Sequence, residues 1–164
     1  MTELISAIER RVSLPDDHEA VRRQKLIAIF AGFSAILSTG LMTTTFFVTG
    51  LTALGWLHLA YGLTFAVLLV IALLQPRRYV SATIGIGLIS LVTNLIAHGL
   101  SGGYSGGIWF LGWLIMNPLN MFLAGGARAG IPLFILCMAG FIGAAVFEPV
   151  FATANIVITA GVRV

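Results

Sequence analysis

Three long stretches of this chain, 26–76, 79–127 and 129–147, contain no Asp, Glu, Lys or Arg. A helix needs about 20 apolar residues to cross a hydrocarbon core of about 30 Å, and each uncharged stretch has room for one or two such passages. The 164 residues are 59% apolar and 9% charged, whereas soluble domains run at about 45–50% and about 25%. A small water-soluble domain exposes a large share of its surface and has nowhere to hide so much apolar material. The same composition excludes a disordered chain and a nucleic-acid-binding domain. The single Cys137 excludes an internal disulfide scaffold.

Most of the charge lies in a polar leader, 1–25, where Arg10, Arg11, Arg22, Arg23 and Lys25 balance Glu3, Glu9, Asp16, Asp17 and Glu19. The leader is too polar for the apolar core of a signal peptide, and 3–12 predicts a short amphipathic helix. The formal net charge of +3 comes from Arg77, Arg78, Arg128 and Arg163 outweighing Glu148.

Cut at its charges and its Gly/Pro clusters, the remainder divides into spans at 26–48, 51–74, 80–100, 108–124 and 129–147, with a partial sixth at 150–162. Asn117-Pro118 breaks the fourth, and Thr49-Gly50 and the glycine-rich 101–107 are loops. The runs are continuous and lack the alternation of a membrane barrel strand, so the fold class is all-α, a polytopic transmembrane helix bundle. With the N-terminus cytoplasmic, every Lys and Arg falls on the cytoplasmic side, which is the orientation favoured in a plasma (inner) membrane. The sixth piece is about 20 Å of helix, short of the bilayer core. It reads as an element cut short, making the chain a fragment. A short interfacial or re-entrant tail is the alternative.

Two stretches carry a family resemblance. One is Ser13-Leu14-Pro15-Asp16-Asp17-His18-Glu19-Ala20-Val21-Arg22-Arg23-Gln24-Lys25, leading into the first span. The other is His98-Gly99-Leu100-Ser101-Gly102-Gly103-Tyr104-Ser105-Gly106-Gly107-Ile108-Trp109-Phe110, followed by Pro118, by 125–128 and by Glu148-Pro149. Together they resemble the six-helix membrane domain that precedes the catalytic domain in many bacterial class III adenylate/guanylate cyclases. The resemblance implies a sensor and anchor domain in cAMP signalling, and a homodimer, because such cyclases build their active sites between two catalytic domains. The chain departs from the family in having no cyclase domain after Val164. Two-metal phosphoryl chemistry needs paired carboxylates around the cations, and no Asp follows Asp17. No catalytic residue, metal site or cofactor is therefore expected in this chain.

Polar side chains at membrane depth mark functional positions. His58 and Tyr61 share a face of the second span, and Asn94 and His98 form an i,i+4 pair in the third. Both histidines fall in the outer half, so they could face each other as a ligand, proton or metal sensor. Interhelical hydrogen bonding is the plainer role, and two histidines without a third ligand make a weak metal site. Asn117 and Asn120 flank Pro118, either as a hinge with a small polar cavity or as an ordinary kink. Tyr104 and Trp109 read as interfacial aromatics, or as part of an outer sensing mouth with His98. Gly126 and Gly130, or Ala139 and Gly143, have the spacing of close helix contacts, and Glu148 is placed to cap the helix that follows it. The expected partners are the lipid bilayer, a second copy of the chain, and a small-molecule or lipid ligand on the outer side. Two other classes fit the composition: a small transporter, which would need a continuous polar path, and a structural subunit of a membrane complex.

Overall fold

The computed structural model describes residues 2–151. Five helices follow one another: α1 (Thr2–Val12), α2 (Glu19–Val48), α3 (Thr52–Leu74), α4 (Tyr79–Leu100) and α5 (Tyr104–Val146), with a single 3-10 turn, Pro76–Arg78, between α3 and α4. Among the described residues there is no strand. Glu19–Val48, Thr52–Leu74, Pro76–Leu100 and Gly126–Val146 are long and apolar enough to cross a membrane, and Phe110–Leu123 is a shorter apolar helix. The chain is a multi-pass membrane protein. The partial sixth span lies outside the described residues except at its start, where 148–151 form a new turn of helix.

The helices are separated by turns that need few residues. α2 ends with Leu51 N–H donating to Phe46 O (2.8 Å) and Gly50 N–H to Phe47 O (3.2 Å). α4 ends with the same pair, Gly103 N–H to His98 O (3.0 Å) and Gly102 N–H to Gly99 O (3.2 Å). Both are glycine-terminated helix ends that satisfy carbonyls left over at a C-terminus, and Gly50 and Gly102 supply the positive φ, 78° and 86°. The expected loop at 101–107 is therefore only three residues long, since Tyr104 already begins α5.

Consecutive helices pack against each other, α2 on α3, α3 on α4, and α4 most extensively on α5, while α2 and α5 touch sparingly. Three buried clusters run along the bundle. Val12, Ile29, Phe65, Leu69, Ala72, Tyr79 and Ala82 fill the end that carries α1. Leu91, Leu111, Leu114, Met121, Leu133, Cys137 and Ala144 join α4 to both arms of α5. Leu54, Ala97 and Phe110 close the opposite end. The outer surface is apolar: Leu41 is 72% exposed and Val48 81%. In water so much exposed apolar surface would drive association. In a bilayer it faces acyl chains.

The expected break at Asn117-Pro118 is not where the chain bends. α5 runs through Pro118 and Pro132 without leaving helical geometry, and its one non-helical residue is Gly126, at φ 68° and ψ −167°. Proline removes one hydrogen bond, a loss membrane helices tolerate when neighbours re-satisfy the freed group. The backbone at Gly126 is one that residues with a Cβ scarcely adopt. Of the pair Gly126 and Gly130, Gly126 supplies the turn between the two arms of α5 and Gly130 makes the close contact, since the Phe122 ring of the other arm sits where its Cβ would project; nothing lies within 4 Å of where a Cβ on Gly143 would sit. Gly126→Ala is expected to cost about 1–3 kcal/mol, read as a lower midpoint in denaturation from detergent micelles. Gly40→Ala, at an open helical site, should leave the midpoint unchanged or raise it.

At the Gly126 end of the bundle Lys25 ties the leader to the helices. α1 places Glu3 in its first turn and Arg10 and Arg11 in its last, in keeping with the helix dipole. Beyond it, Asp17 Oδ2 accepts from Leu14 N–H (2.7 Å) and from Lys25 Nζ (2.6 Å), and Lys25 also donates to Val12 O (3.3 Å). Lys25 is only 5% exposed, and its ammonium lies 5.3 Å from the centre of the Tyr79 ring, within cation–π range. Partial burial works against ionisation of Asp17, but the bonds from Lys25 and Leu14 and the charges of Lys25 and Arg22 outweigh it. The carboxyl is held below its usual pKa.

Candidate functional site

Where α2 and α5 diverge, α3 and α4 floor a cavity of about 520 Å³. It is lined along α2 from Ala20 to Ala35, on α3 by Tyr61, Phe65, Leu69 and Ala72, on α4 from Tyr79 to Ser90, and on α5 from Trp113 to Leu123. At 1.5 Å per residue its α2 wall is about 22 Å long. It occupies the half of the bundle nearest α1.

The inner end of this cavity is polar, and its geometry follows from one serine. Asn94 Nδ2 donates to Ser90 O (2.7 Å) and more weakly to Ser90 Oγ (3.3 Å). Ser90 Oγ donates in turn to Asn117 Oδ1 (2.9 Å), joining α4 to α5. Tyr61, on α3, and Ser90 line the same cavity. With Oδ1 accepting from serine, the Asn117 amide nitrogen is left as a donor, and it has no hydrogen-bond partner in a residue that is 7% exposed. An unmet buried donor costs about 1–3 kcal/mol. The Tyr79 hydroxyl, on the same cavity wall nearer the α1 end, is likewise buried without a hydrogen bond.

Four of the expected residues therefore converge: Tyr61, Asn117 and Asn120 line the cavity, and Asn94 holds Ser90 behind it. Ser90, the residue joining them, is absent from the sequence expectation. It stands four before Asn94, and helical spacing could have found it, but Asn94 pairs backwards with Ser90 rather than forwards with His98. Tyr79 and Lys25 were missed for another reason. Each lies at the start of an apolar helix, where aromatic and basic residues ordinarily face the interface.

The histidines stand elsewhere. His58 packs between Phe46 (ring centroids 4.8 Å) and Phe110 (5.8 Å), and its Nδ1 is 3.0 Å from Leu54 O. A carbonyl only accepts, so Nδ1 carries the proton of the neutral ring. His98 is wholly buried, edge-on to Phe151, with Nε2 3.8 Å from Glu148 Oε2. Glu148 does more than begin the following helix, because its carboxylate sits where a Cβ on Gly103 would project. The two rings belong to different surroundings, His58 to an aromatic cluster and His98 to the turn at Gly103. Among the described residues no group of three His, Cys, Asp or Glu is placed to hold a metal ion. Tyr104 and Trp109 fall in the first turns of α5, and their side chains lie outside the described residues.

The chain matches no family model, no curated protein and no solved structure. Its function is therefore argued from the cavity.

Proposed function

We propose that this chain is a membrane sensor and anchor domain of an adenylate-cyclase-like signalling receptor, seated in the plasma membrane as a homodimer with its N-terminus cytoplasmic. The observation that carries the sensing role is the position of the cavity. Its wall includes Tyr79, and the same tyrosine ring lies beneath the Lys25 ammonium that ties α1 to the bundle. A ligand in the cavity thus presses on the group that positions the leader. Ile29, Phe65, Leu69 and Ala72 also belong both to the cavity wall and to the core cluster holding Val12. Docked and released leaders are two arrangements of one bundle, and a ligand shifts their balance by its difference in affinity for them, with couplings of about 1–3 kcal/mol being typical.

The cavity lies in one half of the bundle, nearest α1, where the positive-inside bias places the cytoplasm. This moves the sensing site away from the outer mouth that the sequence suggested. A cavity confined to one half supports a receptor over the transporter alternative, which needs a path through both halves.

The test is a fusion of the full chain to a cyclase catalytic domain that works only as a dimer, assayed in membranes stripped of and then resupplied with extracted lipids. Resupply should change cyclic nucleotide output at least fivefold, the factor set by the coupling range above, and Ala35→Phe, which fills the cavity, should abolish the change. Equal output in all conditions would refute the sensing role. Flux of solute across vesicles bearing the chain alone would favour the transporter.

A further inference from the structure

The charge pattern of the cavity wall narrows what it accepts. Among the described lining residues Arg23 is the one charged side chain. It stands at the α1 end, paired with Glu19 on its own helix. The inner end, about 18 Å from Arg23 along α2, presents Tyr61, Ser90 and Asn117 and no charge. An ionised head group there would lose its water without gaining a counter-charge, a cost of several kcal/mol. A pure hydrocarbon would leave the Asn117 amide unmet, as it already is. Between the two ends the wall is mainly apolar, with Ile29, Phe65 and Leu69, and its polar members Tyr79, Thr83 and Asn120 are uncharged. The volume of about 520 Å³ is within the usual range for small-molecule pockets, about 300–1,000 Å³.

Resting on the sensing role proposed above, we infer that the cavity takes an uncharged, elongated amphiphile bearing one acceptor oxygen, such as a ketone or ester carbonyl. Asn117 Nδ2 donates to that oxygen, and the hydrocarbon runs along α2 and α3 toward Arg23. In the structure Nδ2 is closed off from solvent. The ligand oxygen reaches it through a small turn of the amide about its last torsion, which is a broad, soft coordinate for asparagine. The bond from Asn94 to Ser90 O keeps the serine in place during that turn. Selection is then by head group: a neutral acceptor satisfies the donor, whereas a carboxylate or an ammonium meets no partner.

Equilibrium binding of a tritiated long-chain methyl ketone to the full chain in lipid nanodiscs tests this, with the alkane, ionised carboxylate and alkyltrimethylammonium of equal chain length as competitors. The ketone should bind saturably, and the three competitors should displace it at least tenfold less well than unlabelled ketone. Asn117→Leu should weaken binding about tenfold, the loss of one buried hydrogen bond, and Ala35→Phe should abolish it. Should Asn117→Leu fail to reconstitute, the competition series on the native chain decides alone. Equal displacement by the carboxylate, or unchanged binding by a folded Asn117→Leu chain, overturns the inference while leaving a sensing cavity intact. Absence of saturable ketone binding overturns the inference, and a fusion output that lipid resupply leaves unchanged overturns the sensing role with it.

Discussion

Lys25→Met is expected to release α1 from the bundle. The methionine keeps most of the side-chain volume but leaves Asp17, whose side chain is 12% exposed, without its ion-pair partner, and Val12 O without its donor. Removing one partner of a buried ion pair costs about 3–5 kcal/mol. At the end of the bundle, where water can approach a released Asp17, about 3 kcal/mol is expected, or roughly a hundredfold in the docking equilibrium. Pulsed EPR between spin labels at the exposed positions Ala7 and Arg78, in a Cys137→Ala background, should give a narrow distance distribution for the native leader and a broad one for Lys25→Met. The pH dependence has a definite sign. The native pKa of Asp17 is lowered, so its contribution is fully present above the unfolded value of about 3.9. It is lost as pH falls through the lower native one. The native leader should therefore stay docked down to about pH 4 and release below it, whereas Lys25→Met should be released throughout. A narrow distribution for Lys25→Met at neutral pH would show that apolar contacts around Val12 alone hold α1.

Gly103→Val should be the most disruptive change at the opposite end. Gly103 has φ 68° and ψ −141°, a conformation that costs a β-branched residue about 1–3 kcal/mol. Its new Cβ would also fall on the Glu148 carboxylate, adding about 1–3 kcal/mol of overpacking and pushing Glu148 away from His98. The expected sum is about 3 kcal/mol or more, read as a lowered midpoint in denaturation from micelles. Gly112→Ala, exposed and with nothing near its Cβ position, should stay within about 0.5 kcal/mol. Equal midpoints for the two variants would mean that the turn between α4 and α5 contributes little to holding the bundle together.

Element type, four of the apolar passages and the turn at Thr49-Gly50 were legible in the residues, while the expected span 108–124 is the shorter apolar helix Phe110–Leu123. Charges and glycines are local signals, and a run without Asp, Glu, Lys or Arg has few structural solutions in a bilayer. The turn within α5 was legible as the gap between the spans 108–124 and 129–147, where Gly126 lies. The further break expected at Asn117-Pro118 is not made, because a proline inside an apolar helix can be absorbed by its neighbours. The candidate site was half legible. Tyr61, Asn94, Asn117 and Asn120 stand out as polar residues in apolar runs. Ser90 does not, because a serine can also bond back to its own helix. Its link to Asn117 crosses 27 positions and depends on how α4 is rotated against α5.

The sequence by itself determined that this chain lives in a membrane as helices and that its leader stays outside the hydrocarbon. Each of these follows from the cost of placing backbone or charge in lipid, which is a property of composition. Only the tertiary structure decided which polar residues meet, that Lys25 is buried over Tyr79, and that a cavity opens between α2 and α5. Helices apolar on every side carry no stripe to say which face turns inward. Their rotation is settled by the fit of side chains between neighbours, and that fit is absent from any single stretch of the sequence.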